Sequence, residues 1–178
     1  LGRITPSKQR EDEIRAAHIL KDVVGKKLEV VIVGKPFSSS DERYLKKLKE
    51  EIVDLGMEDV VTFTGAVSHE RIQEYYATAT VTVNASHTGG IDKVVLESIA
   101  AGVPALTSYE AFSDVFGDYT SDLIYTIGNH NELAEKILAA VGRRDKEKML
   151  MEIRERVVEG YSLESLIPKI KKIYETSR

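Results

Sequence analysis

"VVTFTGAVSHERIQEYYATATVTVNAS", Val60 to Ser86, holds two short β-branched runs on either side of one segment of helical length. The outer runs, "VVTFTG" and "TVTVNAS", are rich in Val and Thr and too short for helices. Between them "SHERIQEYYATA" opens on Ser68, a residue type that caps helix N-termini, and reads as a helix. Strand, helix and strand in that order make a βαβ unit, whose right-handed crossover leaves its two strands parallel.

The same alternation extends in both directions. Upstream, "LGRITPSK" reads as the end of an opening strand, and Gln9 to Val24 as a helix with Ile14, Ala17, Ile19, Leu20, Val23 and Val24 near the helical period. Gly25 ends that helix, and "LEVVIVG", Leu28 to Gly34, follows as a strand apolar on both faces. A loop with Pro36 and three serines leads to a helix over Asp41 to Leu55, capped by Ser40 or Asp41 and closed by Gly56.

Downstream, Asp92 to Ala101 reads as a helix, "PALTS" as a fifth strand and "DLIYTI", residues 122–127, as a sixth. From Asn131 the pattern is helical only: "NELAEKILAAVG", "DKEKMLMEIRERVVEG" and "SLESLIPKIKKIYETSR", with Asn131, Asp145 and Ser162 as caps. The spacing therefore predicts an α/β fold: an open, mostly parallel sheet of about six strands with helices on both faces and extra C-terminal helices. No linker divides the chain, so residues 1–178 are expected to form one domain.

Composition excludes several classes of function. A chain of 178 residues can bury a core without a staple, and the absence of cysteine excludes disulfides and thiolate metal sites. His18, His69, His87 and His130 lie far apart without ligand spacing, so no metal and no cofactor is expected. With 25 Lys+Arg against 29 Asp+Glu in alternation, there is no basic stripe for a nucleic-acid backbone. No apolar run approaches the roughly 20 residues of a transmembrane helix, and the N-terminus is not a signal peptide. These features fit a cytoplasmic protein.

In an open parallel sheet, ligands bind beyond the carboxyl ends of the strands, near the topological switch point. Three loops there carry unusual residues: Arg3 and Lys8 around Pro6, then Gly34-Lys35-Pro36, then Ser86-His87-Thr88-Gly89-Gly90. Two cations facing a glycine-led helix N-terminus form a clamp suited to a diphosphate. Glu97, among apolar neighbours within that helix, needs a partner, for which ribose hydroxyls are one choice and Lys93 another. Asp92 reads as an N-cap rather than a catalyst, His87 as a loop residue, and Tyr75-Tyr76 as core packing.

Taken in order, these segments resemble the carboxyl-terminal, donor-binding half of a family 4 glycosyltransferase, a retaining enzyme of the two-domain, Rossmann-like B-type fold. "LGRITPSK" resembles the family's opening G-R-[LI]-x-x-x-K-G, and the quoted βαβ unit its F-x-G-x-[VL] region. "VVLESIAAGVPAL" resembles its [LV]-E-A-x-A-x-G-x-P-[VA], and "YSLESLIPKIKKIYE" its closing helix. The resemblance covers nearly the whole chain.

It implies a nucleotide diphosphate sugar as donor, UDP- or GDP-linked. Arg3 and Lys8 would bind the diphosphate together with the turn of Gly90, Ile91, Asp92, Lys93 and Val94. Glu97 would hold the ribose, Gly65, Ala66 and Val67 would flank the base, and His87, Thr88 and Gly89 would face the donor sugar. A glycan, lipid or small-molecule acceptor would bind an amino-terminal domain expected to be absent here, since "LGRITPSK" starts without methionine within a strand. That domain would also decide any peripheral position at the inner membrane face. The fragment alone is expected to bind donor without turning it over.

The chain departs from the family pattern at several points. The first glutamate of E-x7-E falls at position 89, a glycine, and the phenylalanine-glycine pair that usually follows is Ile91-Asp92. Gln9 replaces the glycine after Lys8, and "SYEAFSD" replaces a glycine-rich turn. Some members resemble this chain in having T-G-x-x-D-K-x-x-L-E. A catalytically degenerate nucleotide-binding module is the alternative these changes support, with a sugar-nucleotide epimerase a third reading.

Overall fold

A computed structural model of the chain describes residues 1–86 and 90–176. His87, Thr88 and Gly89, expected at the donor sugar, lie outside the described residues. In chain order the elements are α1 (Arg10–Val24), β1 (Val30–Val33), α2 (Ser39–Asp54), β2 (Val61–Gly65), α3 (His69–Thr78), β3 (Thr82–Asn84), α4 (Lys93–Ala100) and β4 (Ala105–Thr107). The short helices α5 (Ser113–Phe116) and α6 (Thr120–Leu123) come next, then α7 (His130–Gly142), α8 (Lys146–Tyr161) and α9 (Leu163–Thr176).

The fold is α/β with parallel strands, as the alternation predicts, but the described residues hold four strands rather than six. β1 pairs with β2, with Val30 opposite Val61 and Ile32 opposite Phe63. β3 pairs with β4, with Val83 opposite Leu106. The opening segment makes only two ladder-type bonds, Gly2 N to Val33 O at 2.9 Å and Ile4 N to Lys35 O at 3.2 Å. It therefore runs alongside β1 without becoming a strand.

The expected sixth strand is interrupted for a local reason. Thr120 Oγ1 bonds to the carbonyls of Ser113 and Gly117, and residues 120–123 close into a helical turn that carries the buried Leu123. Only Ile124, bridged to Thr107, and Tyr125, whose N–H donates to Thr107 O at 3.0 Å, continue beside β4.

Two apolar clusters fill the space between these layers. One joins β1 and β2 to α2 through Ile32, Val61, Tyr44, Leu48 and Ile52. The other joins β3 and β4 to α4, α7 and α8 through Leu106, Val95, Ile99, Leu133 and Ile153. α1 serves both, since Ile14 and Ala17 enter the first cluster while Ala16 and Leu20 enter the second. Each fully buried aliphatic side chain of this kind contributes about 1.5–3 kcal/mol.

Ser68 and Asp145 stand at the N-cap positions of α3 and α8 without a side-chain cap bond, and other helices are capped a residue or more from expectation. α2 is capped by Ser38, not Ser40 or Asp41, because Ser38 Oγ accepts from Asp41 N at 3.1 Å. α7 is capped by Asn129 rather than Asn131, through Glu132 N at 3.1 Å. α4 starts one residue after its cap, Asp92.

Candidate functional site

Backbone geometry carries the N-terminal cations to the carboxyl ends of the strands. Ile4 is buried in the β1–β2 cluster and anchors the segment, while buried Arg10 holds its start by donating to Leu1 O at 2.8 Å. Pro6 to Lys8 then form a single 3₁₀ turn closed by Gln9. Gln9 has φ 37°, in the left-handed region where a glycine costs nothing, which explains the glycine of the resembled pattern. This turn aims Lys8 across to α4.

Lys8 Nζ pairs there with Asp92 Oδ2, and both side chains are mostly buried, at 22% and 18% exposure. Asp92 is also the N-cap of α4, with Oδ1 accepting from Val94 N at 3.3 Å. Asn84, the last residue of β3 and only 2% exposed, donates from Nδ2 to Asp92 Oδ2 at 2.8 Å. Its own Oδ1 accepts from Ser86 N at 3.2 Å, which fixes which way the amide faces. Burial pushes the Asp92 carboxyl up, but the hydrogen bonds of Lys8 and Asn84, the Lys8 charge and the Val94 amide outweigh it and hold the group below its ordinary value.

The second constellation lies in the next turn of α4. Glu97 Oε2 accepts from the Tyr76 hydroxyl at 3.1 Å, and the same oxygen of Tyr76 is 3.2 Å from Val94 O. Tyr76 is buried, and burial, reinforced by the charge and hydrogen bond of Glu97, pushes its phenol well above the ordinary value. It therefore stays a donor through the neutral range. Tyr76 and Glu97 open onto a groove of 390 Å³ between α3 and α4, whose other walls include His69, Ile72, Gln73 and Ala101.

The remaining expected residues are placed as follows. Arg3 is exposed, and its guanidinium carbon lies 5.9 Å from the ring centroid of Phe37 rather than in the Lys8–Asp92 cluster. Gly65 ends β2 with φ 73° and accepts from Gly34 N at 3.0 Å; Ala66 is exposed and Val67 half-buried just ahead of α3. Gly90 and Lys93 are exposed, whereas Ile91 packs against the β3–β4 cluster. The described residues hold no cluster of His, Asp or Glu able to bind a metal.

Two contributors escaped the sequence reading. Tyr76 looked like core packing, yet a buried phenol needs an acceptor, and the carboxylate of the following helix is one. Asn84 carried the same signal, a carboxamide closing a strand of otherwise β-branched residues.

Comparison with known proteins places the chain in a family. The family model described as "Glycosyl transferases group 1" matches residues 1–157. A D-inositol 3-phosphate glycosyltransferase of Nocardia farcinica is 30% identical over 148 residues, covering 82% of this chain and 33% of the relative. One of Acidothermus cellulolyticus is 35% identical over 111 residues, covering 61% and 25%. The chain thus spans a quarter to a third of the length of these curated relatives.

Among solved structures, HepE of Anabaena in complex with UDP superposes with TM-score 0.85 at 18% identity, covering 98% of this chain and 48% of that one. The C-terminal domain of the group 1 family protein LpcC from Francisella tularensis gives 0.78 at 19%, covering 92% and 84%. At these identities the likeness is one of fold.

Proposed function

The chain belongs to the group 1 glycosyl transferases, with the fold of their carboxyl-terminal, donor-binding domain, and from that membership we propose that it binds a nucleotide diphosphate sugar for a retaining sugar transfer. The observation that carries the reading is the order of charges along α4: Lys8 meets the helix start at Asp92, and Glu97, in the following turn, lines the open groove beside α3. That sequence of charges matches a diphosphate followed by a ribose.

In this reading Arg3, Lys8 and the Gly90 to Val94 turn hold the diphosphate. Glu97, oriented by Tyr76, takes the ribose hydroxyls, and the base lies against Gly65 to Val67. As the bond from the anomeric carbon to the diphosphate oxygen breaks, Lys8 and Arg3 stabilise the charge that gathers on the leaving group. Arg3 reaches it by leaving the Phe37 ring, a contact worth only about 0.5–1 kcal/mol at an exposed site. Catalysis is positional and electrostatic, with no protein nucleophile.

The acceptor, and with it turnover, requires an amino-terminal domain, so this chain binds donor without transferring it. Complexes of solved neighbours with UDP and UDP-glucose support a uridine nucleotide as the first to test. Calorimetric titration with UDP, GDP and ADP, repeated on Glu97→Ala and Arg3→Ala, decides the matter. Saturable binding of one nucleotide, weakened by both substitutions, is the expected result. Binding that neither substitution changes would remove the proposed donor site.

A further inference from the structure

Asp92 holds two of the groups proposed to bind the donor diphosphate. Its Oδ2 pairs with Lys8 and its Oδ1 takes the Val94 amide at the start of α4. A carboxylate beside that ammonium cancels much of its attraction for a second anion and repels the anion directly.

The carboxylate is also difficult to move. Asn84 grips Oδ2 from β3 at 2.8 Å, and Asn84 is itself buried and committed through Oδ1 to Ser86 N. An exposed ion pair would swing aside at little cost, but this one is mostly enclosed and tied to three elements: the turn after Thr5, the end of β3 and the start of α4. Any phosphate arriving at Lys8 must share it with a carboxylate that stays.

We propose that Asp92 is an internal counter-anion: it occupies Lys8 and the first turn of α4 in the unliganded protein, competes with the donor diphosphate for them, and so limits how tightly that diphosphate is held. The inference rests on the donor-site reading of Lys8. It has a consequence for turnover in the full-length protein. The nucleoside diphosphate product carries more negative charge than the sugar-bound donor, so the repulsion falls more heavily on product and favours its release.

Asp92→Asn removes the charge while keeping an N-cap oxygen for Val94, at the loss of the acceptor that Asn84 Nδ2 uses. The probes are inorganic pyrophosphate and UDP, titrated calorimetrically into the wild-type chain, Asp92→Asn, Lys8→Ala and the double variant. Competition predicts that Asp92→Asn binds both probes roughly tenfold tighter. In the Lys8→Ala background the gain shrinks to about twofold, because only direct repulsion is then relieved.

Equal or weaker binding by Asp92→Asn, with loss of binding in Lys8→Ala, would overturn the inference and make Asp92 a positioning residue for Lys8. That outcome leaves the donor site standing if UDP binding still responds to Glu97→Ala. Failure of all four proteins to bind either probe would remove the donor-site reading and this inference together.

Discussion

The Tyr76 hydroxyl donates to Glu97 Oε2 across 3.1 Å, joining α3 to α4 at the floor of the groove. One bond thus sets the direction of the carboxylate proposed to hold the ribose. Tyr76→Phe removes it while keeping the ring in the core. The expected cost is about 1 kcal/mol in stability, the usual net worth of such a bond. Nucleotide affinity should fall several-fold but less than in Glu97→Ala, because the carboxylate persists with its orientation loosened. Urea unfolding and calorimetry read the two effects, and affinity unchanged in Tyr76→Phe would mean that Glu97 needs no orienting partner.

The lowered Asp92 carboxyl makes a prediction about acid. A group whose folded value lies below its ordinary value of 3.8 contributes stability that is fully present above that value. The contribution is lost as pH falls through the lowered folded value. Stability of the wild-type chain should therefore decline more steeply between pH 5 and pH 2 than that of Asp92→Asn, which has no such proton to gain. Other carboxyls held low, such as Glu132 and Asp145, are common to both proteins and cancel in the difference. Superimposable acid limbs would show that Lys8 and Asn84 do not stabilise the charged carboxylate.

Gln9 predicts a gain rather than a loss. Its φ of 37° suits glycine, so Gln9→Gly should raise stability by roughly 0.5–1 kcal/mol. Gln9→Ala keeps the Cβ and should bring no gain. Thermal unfolding of the two variants side by side makes the comparison, and equal shifts would place the effect in the Gln9 side chain instead of its backbone.

The sequence makes the alternation of strands and helices legible because β-branched runs such as Val30 to Val33 are too short to be anything but strands in a chain of this composition. It overstates the sheet at both ends for a physical reason. Strand pairing is a property of two segments, and neither "LGRIT" nor "DLIYTI" reveals alone that its partner offers one or two bonds. In the candidate site, Lys8, Asp92 and Glu97 were legible by residue type and position. Their partners Asn84 and Tyr76 were not, because a polar group in an apolar element declares its role only when its acceptor across the fold is known. The Lys8–Asp92 pair spans 84 residues of sequence, and no local pattern encodes it.

Gly34 carries the last prediction, since it decides where the Arg3 segment can lie. Its φ is 144°, and a Cβ there would sit 1.8 Å from Gly2 O and 2.9 Å from Gly2 C. Backbone on both sides leaves nothing flexible to yield, so Gly34→Ala must push the opening segment off the end of β1. That breaks the Gly2 N to Val33 O bond and disturbs Ile4, which is 1% exposed. Destabilisation of about 2–4 kcal/mol is expected, with weaker nucleotide binding through displacement of Arg3. Gly56 is the internal control: its φ is 61° but a Cβ there meets nothing within 4 Å, so Gly56→Ala should cost only about 1 kcal/mol. Equal losses in the two variants, measured by urea unfolding, would mean that backbone conformation alone matters at Gly34 and that the close approach of Gly2 does not constrain the segment.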